Sequence, residues 1–265
     1  MKKVIFATLA FFFGLYIVIC LILYVNQESF IFHPKKLSKD FQFQFEQPFK
    51  EINISLSDGK KMNGLLFKGM NSKGLIFYLH GNGGAIDTWG DVADVYINLN
   101  YDVFILDYRG YGKSEGEING QEQLFDDIQI VYDKMKEWYD EDKIIVLGYS
   151  IGTGPAAHLA SKNTPKLLIL QAPYYSLVDM MKQSFNLVPT FILKYKFETN
   201  NYLKLCKSPV VIFHGDMDEV IYYGSSLKLK EQFKPTDHLI TLTNQSHNGI
   251  TDNVQYRQAL QKLFQ

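Results

Sequence analysis

Apolar positions along the chain form one long block near the N-terminus and then a series of short runs. The block is residues 4–25, VIFATLAFFFGLYIVICLILYV, uncharged and interrupted only by Thr8, Gly14, Tyr16 and Tyr24. As a helix it would be roughly 33 Å long, enough to cross a bilayer's hydrocarbon core. A cleaved signal peptide would have an apolar run of about 7–15 residues followed by small residues. Here the run is longer, and Tyr-Val-Asn-Gln-Glu ends it. A lipoprotein signal ending at Cys20 fits poorly, because bulky Val18 and Ile19 precede the thiol and the run continues past it. Residues 1–28 are therefore read as an uncleaved membrane anchor. Lys2, Lys3 and the terminal amine favour an N-terminus inside, against Lys35, Lys36 and Lys39 on the other flank. The expectation is a single-pass protein whose remaining chain lies outside the cytoplasm.

Residues 29–50 form a juxtamembrane segment in which Phe41, Phe43 and Phe45 alternate with polar residues. That period of two suits a short edge strand or, equally, a linker over the domain surface. Beyond it, short strand-like and helix-like patterns alternate. Runs 52–56 and 64–68 flank the turn Asp58-Gly59, a hairpin signal. Strands are predicted at 75–79, 103–106, 144–147, 167–170, 210–213 and 239–242. Helices are predicted at 120–140, from Gly152 to about Lys162, at 224–233 and at 251–264. In the first of these, Leu124, Ile128, Val131, Met135 and Trp138 line one face. A hairpin followed by repeated strand–helix units implies an α/β fold, with a mostly parallel sheet covered on both faces. Residues 51–265 are taken as one domain, with an insert at about 173–206. The insert is long for a connection, and its apolar residues read as a small helical cap over a site.

Composition narrows the partners. Net charge is −1 with no basic block, so nothing draws the chain to nucleic acid. Cys20 and Cys206, one in the apolar block and one far from it, build no disulfide framework or Cys-based metal site. No metal or organic cofactor is implied, and the oligomeric state is left open.

A serine hydroxyl becomes a useful nucleophile only when a base takes its proton and donors stabilise the oxyanion that develops. Gly148-Tyr149-Ser150-Ile151-Gly152 meets the first requirement, because it sits between a predicted strand and a predicted helix, where a tight turn exposes Oγ. His80-Gly81-Asn82-Gly83-Gly84 follows an earlier strand, with small residues that let backbone N–H groups approach a carbonyl oxygen. The oxyanion hole is assigned to the N–H groups of Asn82 and Ile151. This loop has no following Lys-Ser/Thr pair and the wrong spacing for a dinucleotide fingerprint. The base should come late in the chain, and His247, between the last strand and last helix, is preferred over His238. His33, His80, His158 and His214 are given structural roles. For the acid, Asp216, Asp218 and Glu219 all follow the strand at 210–213, and spacing alone does not choose among them.

Taken together, His80-Gly81-Asn82-Gly83-Gly84, DYRGYG at 107–112, Gly148-x-Ser150-x-Gly152, HGDMDEV at 214–220 and Ser246-His247-Asn248 resemble the motif set of the α/β-hydrolase superfamily. More narrowly the chain looks like its membrane-anchored serine hydrolases, a branch similar to serine aminopeptidases and monoglyceride lipases. The resemblance implies that the acid is Asp218 and that Asp107, in the DYRGYG turn, is structural. Two departures stand out: Ser246 where relatives often carry Gly, and Tyr149 where many carry Arg. The activity it implies is hydrolysis of a carboxylic ester or thioester of a small-molecule, lipid-like or acylated substrate, by Ser150, His247 and Asp218. A serine peptidase or amidase is the alternative within the same chemistry. A catalytically inactive, membrane-bound binding protein is the alternative outside it.

Overall fold

Continuous apolar runs such as Leu75–Leu79 can satisfy neither face in water, so they settle in the middle of a parallel sheet with helices on both sides. In the computed structural model, which describes residues 1–185 and 187–264, that is where they lie. The chain begins with α1 (Lys2–Val25), on which no residue is buried. Among the described residues it is the one helix long and apolar enough to cross a membrane. A bend at Asn26 leads into the short α2 (Gln27–Ile31) and the two-residue β1 (His33–Pro34). The stretch that follows carries the three alternating phenylalanines and forms no strand. Its rings pack on one another, Phe41 on Phe43 at 5.3 Å and Phe45 on Phe67 at 5.3 Å, so the linker reading is the one realised. Burial of aromatic surface, rather than a backbone ladder, holds it down.

The sheet opens with the hairpin of β2 (Phe49–Ser55) and β3 (Lys61–Phe67), paired from Ser55–Lys61 to Phe49–Phe67 around the Asp58-Gly59 turn. Then come β4 (Leu75–Leu79), the short β5 (Gly83–Gly84), α3 (Ile86–Trp89) and α4 (Ala93–Ile97). β6 (Asp102–Leu106), α5 (Gln121–Lys136), β7 (Ile144–Tyr149), α6 (Thr153–Lys162) and β8 (Leu167–Gln171) follow. After the insert, which contains α7 (Leu177–Ser184) and α8 (Thr199–Leu205), the chain closes with β9 (Val210–Gly215), α9 (Gly224–Lys230), β10 (His238–Leu242) and α10 (Val254–Leu263).

Strand order is β10-β9-β8-β7-β4-β6-β3-β2, parallel from β6 to β10 and antiparallel at the hairpin end. Along β4 the side chains divide by period two. Leu75, Phe77 and Leu79 enter the core shared with α5, α6 and α8, whereas Ile76 and Tyr78 enter the core under α3, α4 and α10. β4 lies between β6 and β7, so the chain leaves it first to one side and then to the other. The carboxyl ends of β4 and β7 therefore flank a topological switch point, where open α/β sheets bind ligands.

Polar contacts fix the parts that the sheet does not. Arg109 donates from Nε and Nη2 to both carboxylate oxygens of Asp127 on α5 (2.5 and 2.8 Å) and from Nη1 to Asp58 in the hairpin turn (2.6 Å). Both Arg109 and Asp127 are buried. Deleting one partner of such a pair costs about 3–5 kcal/mol, because the other charge is left uncompensated.

The insert is divided in its attachments. α8 packs on α6 as part of the body, whereas α7 and the turn Thr190–Ile192 lie over the carboxyl ends of the strands. Ser176 caps α7 by accepting from the Asp179 N–H at 3.0 Å. The insert is tied to the start of the chain through Gln27, which donates to the Ile192 carbonyl (3.1 Å) and accepts from the Lys194 N–H (2.7 Å).

Candidate active site

β7 ends at Tyr149 and the chain turns sharply through Ser150–Gly152 into α6. Ser150 adopts φ of +52°, a left-handed conformation that costs a non-glycine residue energy and marks a strained turn. Its flanking glycines are needed for close approach. A Cβ on Gly148 would stand 2.5 Å from the Gly152 carbonyl oxygen, and one on Gly152 would stand 2.3 Å from that of Leu79. Thr153 closes the turn by donating from Oγ1 to the Ser150 carbonyl at 2.6 Å.

The loop after β10 brings His247 over this turn. Its Nε2 is 3.0 Å from Ser150 Oγ, and its Nδ1 is 2.7 Å from Asp218 Oδ2. With Nδ1–H given to the carboxylate, Nε2 is free to accept the serine proton. All three side chains are removed from solvent: Ser150 and His247 are buried, and the Asp218 carboxylate is fully covered. The backbone of His247 is held at both ends, its N–H donating to Glu219 Oε2 (3.2 Å) and its carbonyl accepting from the Tyr149 hydroxyl (2.6 Å).

Asp218 is oriented from several directions. Its Oδ1 accepts from the N–H groups of Val220 (2.9 Å) and Ile221 (2.8 Å). Nε2 of buried His214 lies 2.8 Å from the Ile221 carbonyl and 3.2 Å from Asp218 Oδ2, while its Nδ1 lies 2.6 Å from Ser226 Oγ. The ring thus carries its proton on Nε2, shared chiefly with the carbonyl. Burial works against a charged Asp218, but the hydrogen bonds from His214, His247 and the Ile221 N–H outweigh it. The carboxyl is held well below the usual carboxylate range.

Of the other acidic candidates, exposed Asp216 accepts from the Asn244 N–H at 2.7 Å and shapes the histidine loop, and Glu219 holds that loop through the His247 N–H. Exposed His238 opens β10 and His158 stacks on Phe125 at 3.9 Å, both apart from Ser150. His80 is fully buried, 3.3 Å from Asp107 Oδ1 and packed on Tyr108, so that pair braces the loop after β4 from below.

Asn82 and Ile151 both line the same cavity as Ser150. Among the described residues neither of their N–H groups has a protein acceptor. The Asn82 side chain is engaged elsewhere: it donates to the Ile31 carbonyl (2.7 Å) and accepts from the Tyr111 hydroxyl (3.1 Å) and the His33 N–H (3.2 Å). β1 pairs with β5 directly beside it. Tyr174 orients the turn after the serine, donating to the Ile151 carbonyl (3.0 Å) and accepting from the Gly154 N–H (3.1 Å).

Sequence reasoning missed Tyr149, Tyr174 and Glu219 as supports, because each acts through a hydrogen bond between distant stretches of chain. The cavity itself has a volume of about 860 Å³. Ser150, His247, Asn82 and Ile151 line it together with mainly apolar residues of α7 and of the following turn. Leu23, Gln27, Phe30 and Ile31 complete a wall that no local pattern in the chain places there. Among the described residues, no group of three or more His, Cys, Asp or Glu side chains is placed to hold a metal ion.

The fold has known counterparts. Residues 70–205 match the family model described as serine aminopeptidase, S33. Alpha/beta hydrolase domain-containing protein 17B of Homo sapiens is 31% identical over 202 residues, covering 73% of this chain and 67% of that protein. Alpha/beta hydrolase domain-containing protein aho-3 of Caenorhabditis elegans is 29% identical over 199 residues, covering 73% of this chain and 58% of that protein. Among solved structures, an esterase of Pyrococcus furiosus aligns with a TM-score of 0.70 at 18% identity, over 88% of this chain and 96% of its own. Est1E of Butyrivibrio proteoclasticus, solved with ferulic acid bound, aligns at 0.63 and 21% identity, over 80% and 96%. At those identities the likeness carries the fold, which is the α/β-hydrolase fold.

Proposed function

The chain belongs to the α/β-hydrolase family whose model is described as serine aminopeptidase, S33, and from that premise we propose that it is a serine hydrolase of carboxylic esters or thioesters. The observation that carries this reading is the continuous relay from Ser150 through His247 to Asp218, 3.0 and 2.7 Å, at the floor of an apolar cavity. His247 Nε2 takes the hydroxyl proton as Ser150 Oγ attacks the acyl carbon. The oxyanion is met by the N–H groups of Asn82 and Ile151, preorganised donors that need no rearrangement as charge develops. His247 then protonates the departing alcohol or thiol, leaving an acyl-enzyme. Water, deprotonated by the same nitrogen, releases the acid and restores the serine. Asp218 keeps the imidazole in the required tautomer and stabilises the imidazolium.

The family description favours a second reading, cleavage of an aminoacyl amide. An aminopeptidase has to bind a free ammonium group, and among the described lining residues there is no Asp or Glu to meet it. The ester reading is preferred for that reason. α1 is taken as the anchor, with the hydrolase on the non-cytoplasmic side. Protease digestion of sealed vesicles of known orientation tests that assignment.

A rate series on p-nitrophenyl esters from short to long chains, beside an aminoacyl p-nitroanilide, tests the reaction. Ester turnover abolished by Ser150→Ala is expected. Amide turnover alone would move the assignment to peptidase. Folded protein that forms no adduct with a fluorophosphonate would point to an inactive binding protein.

A further inference from the structure

The anchor does not simply tether the domain. Tyr16, Cys20, Leu23 and Gln27 recur at spacings of four, three and four, so they share one face of the helical N-terminal segment. Within α1 only Cys20 and Leu23 are other than exposed, and Leu23 reaches the cavity. This face meets the insert at two heights. At the C-terminal end a polar belt forms: Lys194 bonds Glu28 at 3.2 Å and lies over the Tyr24 ring at 4.9 Å, and the Tyr195 hydroxyl donates to Glu28 at 3.1 Å. Deeper along the helix, the Tyr16 hydroxyl donates to the Leu187 carbonyl at 2.9 Å. Tyr16 lies nine residues before Val25, which is about 13 Å along the axis.

A lone hydroxyl and a lone carbonyl in hydrocarbon each need a partner, and here each supplies the other. In water the same bond would gain little, since both groups would be hydrated. The side chains around it agree. Phe185, Leu187 and Phe191 are 65%, 81% and 85% exposed, a cluster that an aqueous surface leaves unexplained. Tyr24, Glu28 and Lys194 are residue types suited to the boundary between bilayer and water, and they stand on the body side of that cluster.

We propose that the tip of the insert is submerged in the membrane leaflet beside α1, and that the gap between tip and anchor is the mouth through which an acyl chain still in the bilayer reaches Ser150. This deepens the hydrolase reading and rests on it. The chain passes Leu23, Phe30, Met181 and Val188, all of which line the cavity, and its carbonyl carbon arrives at the polar floor. The substrate class is a long-chain acyl ester or thioester resident in the membrane. Hydrolysis consumes one water and leaves a fatty acid and the alcohol or thiol.

The test uses the full chain in vesicles of ether-linked phosphatidylcholine, which the enzyme cannot hydrolyse. Two 4-methylumbelliferyl esters are compared, palmitoyl in the bilayer and butyryl in solution. The double variant Leu187→Asp with Phe191→Asp alters residues outside the cavity lining. It is expected to slow the palmitoyl ester about tenfold or more, while the butyryl rate stays within about twofold. Equal rates for variant and wild type on the palmitoyl ester overturn the route, as does a parallel loss on both esters.

A second measurement reads position directly. A nitroxide on Phe191→Cys, in a chain carrying Cys20→Ala and Cys206→Ala, should be more accessible to oxygen than to a water-soluble nickel chelate. The opposite preference places the tip in water and rejects the inference. If wild type turns over neither ester, the hydrolase reading fails instead, and the nitroxide result still stands for the tip. Parallel arms with a palmitoyl glyceride and a palmitoyl-cysteine peptide tell lipid from lipidated-protein leaving groups. Tip-dependent cleavage of either supports the route, and tip-independent cleavage of both opposes it.

Discussion

The two sides of the cavity are held by different physics. On the body side, Ser150, His247 and Asp218 come from three strand ends and are locked by directional hydrogen bonds of 2.6–2.9 Å, two of them donated by the backbone N–H groups of Val220 and Ile221. On the α1 side, the wall is mainly apolar side chains of α1, α2 and α7, with a few polar ties at its rim. The first side tolerates little displacement, because proton transfer needs heavy atoms within about 3 Å. The second has only to exclude water and accommodate a flexible chain, and non-directional burial does that. The cavity thus joins a directionally bonded side to a side that is mainly apolar.

Ser150→Ala breaks the body side most severely. Ester turnover should fall by about 10⁴-fold or more, with the circular dichroism spectrum unchanged. Activity that survived would show that Ser150 is not the nucleophile. Asp218→Asn should come next, lowering kcat by about 10³–10⁴-fold, with little change in KM for short esters.

The same residue gives a pH signature in stability. Its folded-state pKa is depressed below the unfolded value, so its contribution is complete above about pH 4 and is lost as pH falls through the folded value. Thermal unfolding followed from pH 7 to pH 2 should show a drop in Tm on acidification, and Asp218→Asn should flatten that curve.

Tyr149→Phe sharpens the comparison at smaller scale. It leaves the His247 carbonyl without its 2.6 Å donor, so kcat should fall about 3- to 30-fold while long-chain and short-chain esters suffer alike. Lys194→Met, at the rim of the other wall, should change stability by less than about 1 kcal/mol, because the ion pair with Glu28 is partly exposed. Its butyryl ester kcat should match wild type, as a Tm scan and steady-state rates would show.

Much of this molecule is written in local pattern. The strands at 75–79, 144–149 and 210–215 are built on apolar runs that only a two-sided burial can satisfy, so the first is legible over its whole length and the other two over their first four residues, before the polar and glycine positions that end them. The turn that carries Ser150 was legible too, because Gly148 and Gly152 stand where a Cβ would meet backbone carbonyl oxygens. Other parts were not. The short helices Ile86–Trp89 and Ala93–Ile97 carry too few turns for a periodicity to register. The alternating phenylalanines before β2 fit a strand and a linker equally, and packing against Phe67 decided between them.

The sequence by itself determined the chemistry on offer: a serine on a strained turn, a late histidine, three neighbouring acids and one long apolar helix. Spacing left the acid open among Asp216, Asp218 and Glu219, and only the resemblance pointed to Asp218. The tertiary structure brings that residue to the histidine, because the three differ in where the loop after β9 points them rather than in composition. It also decided that Leu23 and Gln27 border the cavity beside Ser150, more than a hundred residues away along the chain. Apolar periodicity reports how much surface must be buried and on which face. The partner that buries it is chosen by long-range packing, which leaves no mark within a window of neighbouring residues.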